Sequence, residues 1–255
     1  MGWDENSSIG YFSKILGSGC FIGHTLRAKI KNKTLTGQLE KQKNIWVLTP
    51  IFGVILFIVL YFVATFFYPG GSQVDKNSIG FSWTNNYWCN LLDKNAINGQ
   101  RNPAKPIAIT AMFVLCLTLT FFWFLFSRHI NIGKITKLVI LISGTLAMTI
   151  AFFLFTNINH DLVTNLASIF GLIATFGTLI GLYKTKWYSL FILGILNILL
   201  VGLNNYVYYN KELIIYLPLI QKISFATFLV WVCSVDINLY LSIISTNSTQ
   251  GKNSR

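Results

Sequence analysis

Residues 46–67 read WVLTPIFGVILFIVLYFVATFF, and Tyr68-Pro69-Gly70-Gly71 follows them. The run holds no charged residue. Coiled as an α-helix it is long enough to cross the ~30 Å of hydrocarbon in a bilayer. A barrel strand would be about 10 residues long and would alternate polar with apolar, which this stretch does not do. Five further apolar runs of similar length follow, at 106–126, 135–155, 161–183, 187–206 and 218–240. In lipid every backbone polar group must be satisfied within the protein, so the fold class expected is all-α: a bundle of six transmembrane helices with a long outer loop between the first two.

Composition agrees. The chain has 255 residues, of which 53% are hydrophobic and only 11% charged, with a mean hydropathy of +0.57. A soluble globule carries far more charge on its surface. The net charge of +12 is read as the positive-inside bias of a membrane protein. Nucleic acid is not an expected partner, because no basic groove interleaved with aromatics appears.

The positions of Lys and Arg set the expected orientation. Fourteen of the 20 fall in the N-terminal tail, the second and fourth loops and the C-terminal tail. That places both termini in the cytoplasm, with the protein in the cell membrane. Trp46, Trp187 and Tyr183 stand at inner boundaries, and Tyr68 and Tyr206 at outer ones, as an aromatic belt requires. Three parts follow: a basic cytoplasmic segment (1–45), the six-helix domain (46–240) and a polar, disordered cytoplasmic tail (241–255). Residues 9–23 are too short and too rich in glycine to span, and lack the cleavage site of a signal peptide. With the basic RAKIKNK that follows, they form either a surface-lying segment or a disordered tail. The four cysteines (Cys20, Cys89, Cys116, Cys233) show no CxxC spacing and read as free thiols.

Small residues mark the expected helix contacts. Ser143, Ala147 and Ala151 are four apart in the third span. Gly177 and Gly181 are four apart in the fourth, which also has Gly171, Thr175 and Thr178 at helical spacing. In lipid such stripes bring backbones together. A permeation path is the alternative, but the midplane offers only Asn197 and small hydroxyls.

Polar groups gather at the outer ends of the spans. His160 and Asp161 open the fourth, Asn204 and Asn205 close the fifth, and Gln221 and Lys222 lie in the first turn of the sixth. The long loop adds Asp93, Arg101 and Asn102. Cations suit a phosphate and amides suit hydroxyls, so a headgroup pocket is one reading. A base at His160 with Asp161 or Asp93 as its partner is another. Capping and snorkelling are a third. The three histidines fall on opposite sides of the membrane, so no metal is expected, and no cofactor either. Asp236 reads as a capping or inner-boundary residue, about 21 Å along the helix from Lys222.

The loop stretch FSWTNNYWCNLLD, 81–93, predicts a short interfacial helix. Trp83, Tyr87 and Leu91 would face the membrane, and Asn86, Asn90 and Asp93 would form an amide edge over the fourth and sixth spans.

YPGG at 68–71, NYWCNLLDKNAINGQRNP at 86–103, NHDLVTNLASIFGLIA at 159–174 and LIQKISFATFLVW at 219–231 together resemble a group of bacterial six-span proteins of unassigned function. That group is similar to the DRAM-like membrane family, with relatives linked to lipid remodelling and GPI-anchor maturation. The resemblance covers about residues 46–240. It implies the six-span topology and a role at the membrane, and it directs attention to His160, Gln221, Lys222 and Asn102. The function expected is binding or organising of membrane lipid through an outer polar pocket. A headgroup enzyme, or a transporter or channel subunit, is the alternative.

Overall fold

The computed structural model describes residues 45–153 and 160–253, with side chains at 45–153 and 162–245. The basic N-terminal segment therefore lies outside the described residues. So do the side chains of His160 and Asp161.

Six helices carry the fold: α1 (Thr49–Phe66), α2 (Lys105–His129), α3 (Lys134–Phe152), α4 (His160–Lys184), α5 (Tyr188–Tyr209) and α6 (Leu217–Asn253). Short 3-10 turns sit at Trp46–Leu48, Trp88–Leu92 and Ile214–Tyr216. Each helix is long and apolar enough to cross a membrane. The protein is an all-helical, multi-pass integral membrane protein. The helices form where the sequence has unbroken apolar runs, and they stop where the backbone chemistry changes. Pro50 and Pro106 stand in the first turns of α1 and α2, where a missing N–H costs nothing. After α1, Pro69 cannot continue the helix, and Gly70 and Gly71 take φ of +144° and +83°. A Cβ on either would collide with Ser78 O or Asn98 N across the loop.

Each helix packs on the next along the chain, and α6 returns to lie against α1 and α2, which closes the bundle. The α3–α4 contact is the most extensive, and small residues make it. Ser143 and Ala147 are buried on α3. A Cβ on Gly177 would stand 2.5 Å from Ile140, and one on Gly171 would just touch Ala147 at 4.0 Å. Gly144 on α3 receives the Trp123 indole of α2, whose ring lies 2.5 Å from the Cβ position. These stripes are packing surfaces. The aromatic core runs through α2 and α6: Phe122, Trp123, Phe126 and Trp231 are all buried, and the Phe122 and Trp231 rings lie 6.4 Å apart.

Two expectations change. The sixth helix runs to Asn253, well into the segment read from sequence as a polar tail. Asp236 is accordingly not a cap: it sits in mid-helix, fully buried.

Candidate functional site

The loop of residues 67–104 is tied down by amides. Asn86 is fully buried; its Oδ1 accepts from Ser82 N at 2.8 Å, and its Nδ2 donates to Gly71 O at 2.8 Å. Asn90 Oδ1 accepts from Tyr87 N at 2.8 Å, which caps the 3-10 turn Trp88–Leu92. Asn102 closes the other side. Its Nδ2 faces three carbonyls, Asn90 O and Leu91 O at 3.2 Å and Asp93 O at 3.0 Å, while its Oδ1 accepts from Ala104 N at 3.1 Å. One side chain thereby fixes the 3-10 turn to the start of α2.

The stretch 81–93 differs from the expected interfacial helix. Only Trp88–Leu92 is helical, and as 3-10. Asn86 and Asn90 point inward, whereas Trp83 is 43% exposed. The reason is hydrogen-bond demand: a turn that reverses through Ser82–Asn86 leaves backbone groups that a buried amide satisfies and an indole does not. The segment caps the sixth span, α6, as expected, together with α1. Trp88 stacks edge-on against Tyr61 of α1, with centroids 4.6 Å apart, and lies 6.2 Å from Phe225 of α6. Tyr61 Oη donates to Trp88 O at 2.9 Å.

Lys222 is the pin. It leaves α6 one turn in and is 9% exposed. Its Nζ donates to Asn86 O, in a short contact, and to Pro218 O at 3.1 Å. The same ammonium stands 5.6 Å from the Phe81 ring centroid and 5.8 Å from that of Trp88. An ammonium has three N–H donors. Two meet carbonyls, and the remaining positive surface faces ring π-clouds. Gln221 adds to the same clasp, since its Oε1 accepts from Trp88 N at 3.4 Å. Both residues hold the cap shut.

The sequence-derived candidates therefore separate. Gln221, Lys222 and Asn102 converge on the cap, where their side chains serve the backbone, and Asp93 joins them through its own carbonyl, which accepts from Asn102 Nδ2. The Asp93 carboxylate acts on Cys89 and Tyr68 among its neighbours. Burial, with Asp93 beside it, pushes the Cys89 thiol up to about 11. Burial also raises the Tyr68 phenol, whose Oη accepts from Ile97 N at 3.1 Å. Arg101 is exposed on the rim, paired through its backbone with Asn95. Asn205 is exposed on α5, with Nδ2 donating to Val201 O at 3.0 Å. Its neighbour Asn204 faces α6 and donates to Ser224 Oγ at 2.5 Å. Sequence reasoning passed over Tyr61 as a polar group. Its signal is a phenol inside an apolar run, which when buried needs an acceptor.

Asn205 belongs to a second feature, an open cleft of about 660 Å³ at the α5–α6 turn. It is lined by Asn205, Tyr206, Tyr209, Asn210, Lys211 and Glu212. Asn210 shapes the turn, with its Oδ1 accepting from Glu212 N at 3.0 Å. Tyr206 and Tyr209 are 63% and 78% exposed. The cleft presents a cation, an anion, amides and phenols on one surface. Among the described residues no group of three or more His, Cys, Asp or Glu is placed to hold a metal ion. The chain matches no family model, no curated protein and no solved structure.

Proposed function

We propose that this protein binds and organises membrane lipid from the face of the cell membrane that carries the α1–α2 loop, with both chain ends in the cytoplasm. The observation that carries the reading is the cleft at the α5–α6 turn, where Lys211 and Glu212 adjoin Tyr206 and Tyr209 at the end of a span. Lys211 suits a lipid phosphate and Glu212 an ammonium, so the pair is complementary to a zwitterionic headgroup. Tyrosines at a span end sit at headgroup depth, with ring in the acyl region and hydroxyl in water. The buried Lys222 clasp supports the same division of labour: the cap segment is structural, and the headgroup is met next door. Native mass spectrometry of the purified chain with phosphatidylethanolamine tests the reading. Lys211→Ala with Glu212→Ala is expected to lower the retained lipid several-fold. Retention equal to the unmodified chain would refute it.

A further inference from the structure

Asp236 is a carboxyl group buried in α6 with neither of its oxygens bonded. The residue is fully buried, and among the described residues no hydrogen-bond donor reaches Oδ1 or Oδ2. The buried side chains nearest it along the helix are apolar. Trp231, Val232 and Val235 are fully buried above it. One turn below, Leu239 packs with Val47 of the 3-10 turn before α1 and Leu125 of α2, in a small cluster that seals this end of the bundle. Among the described residues, the titratable and charged groups at this end are Arg128 and His129 on α2, Lys134 and Lys137 on α3, Tyr183 and Lys184 on α4, Lys186 and Tyr188 at the turn into α5, and Cys233 and Tyr240 on α6 itself. Arg128, His129, Lys134 and Lys184 are exposed.

Among the described residues, a carboxylate in such a place has no partner for its charge. Removing an unpaired ion from water costs many kcal/mol, and groups so placed neutralise instead. A bare metal cation is a poor partner, because it needs about six oxygen ligands and, among the described residues, no acidic cluster accompanies Asp236. A proton needs one acceptor for the new O–H, and the helix provides that. On either side of Asp236, polar side chains already bond the carbonyl four residues back: Ser234 Oγ to Val230 O at 2.7 Å and Asn238 Nδ2 to Ser234 O at 3.0 Å. The equivalent acceptor for Asp236 is Val232 O, and only a protonated carboxyl can donate to it.

We propose that Asp236 is a proton-binding site inside the helix bundle. Intramembrane carboxyls that face a bundle interior are expensive to keep, and proton relays are among the roles that retain them. The site is separate from the headgroup cleft, so either reading can fail without the other.

Infrared spectroscopy of the full chain in lipid vesicles at neutral pH tests it. The wild-type minus Asp236→Asn difference spectrum is expected to show the C=O stretch of a protonated carboxylic acid, shifted in D₂O. Carboxylate stretches alone would overturn the proposal. Should Asp236→Asn fail to fold, wild-type chain carrying ¹³C at the aspartate side-chain carboxyls gives the same answer. An isotope-shifted protonated C=O band supports the site, and its absence refutes it. Within the same comparison, Asp236→Asn is expected to leave helix content and melting unchanged. Loss of both, together with a carboxylate spectrum in the wild type, would identify Asp236 as an ionised counter-charge instead.

Discussion

A single ammonium decides the state of the cap segment. Lys222 Nζ joins α6 to Asn86 O across 136 residues of chain, and it lies among rings that exclude water. Replacing it by Met keeps the apolar stem and removes the donors, which leaves Asn86 O without that partner, whereas Pro218 O keeps the helical N–H of residue 222. Hydrogen bonds from charged groups contribute about 1.5–3 kcal/mol each, and buried carbonyls left bare cost a similar amount. Lys222→Met is therefore expected to destabilise the loop by about 2–3 kcal/mol, read as faster amide exchange at 81–93, with lipid retention at the α5–α6 turn unaltered. Asn102→Ala removes one donor group from three carbonyls and is expected to cost a similar ~2 kcal/mol in thermal unfolding. Cys89 supplies a chemical check. Its thiol, raised from an ordinary value near 9 to about 11, holds about 100-fold less thiolate at neutral pH than a free cysteine, since each unit is tenfold. Maleimide labelling is expected to be slow at pH 7 and to quicken as pH rises toward 11. The sign for stability follows. The folded loop keeps the thiol neutral, so its contribution is complete below pH 9 and is lost as pH climbs through 11. Labelling of Cys89 at the ordinary rate at pH 7 would mean that the cap is open.

Between helices, close approach is the controlling variable. Gly177 meets Ile140 and Gly144 meets the Trp123 ring, each with 2.5 Å at the Cβ position. Overpacking a filled interface typically costs about 1–3 kcal/mol. Gly177→Leu is expected to separate α3 from α4 and lower the melting temperature in detergent, whereas Gly202→Leu, at a position with open space around it, is expected to leave it unchanged. The α3–α4 contact was legible in the sequence, because small residues four apart on an apolar helix have few other uses in lipid; the seat of Trp123 on Gly144 was not. The cap was not legible in the same way. A period of four in Trp83, Tyr87 and Leu91 suggests a helix, yet the segment is set by backbone demand. Gly70 and Gly71 fold the chain back, and Asn86, Asn90 and Asn102 then serve its carbonyls and amides. Sequence identifies these residues as polar but carries no sign of whether an amide faces water or a carbonyl 12 or 15 residues away. Lys222 hides its role for the same reason.

At the scale of the molecule, six unbroken apolar runs specify six spans before any tertiary detail is considered, since lipid leaves the backbone little choice. Lipid contact along the spans explains the many large apolar side chains left exposed, such as Phe52, Ile192 and Leu199. The ends of the bundle carry the chemistry: the clasped cap and the open α5–α6 cleft at one, the sealed Asp236 toward the other. What the sequence conceals is which polar groups look outward. Asn205 and Lys222 read alike along the chain, and only packing separates an exposed amide from a buried clasp. Photo-crosslinking with a phosphatidylethanolamine carrying a diazirine on its headgroup addresses this division most directly. The modified peptide is predicted to hold residues 205–212, with the yield lowered by Lys211→Ala and Glu212→Ala together. Crosslinks confined to the loop 81–102, or a yield indifferent to those substitutions, would contradict the account.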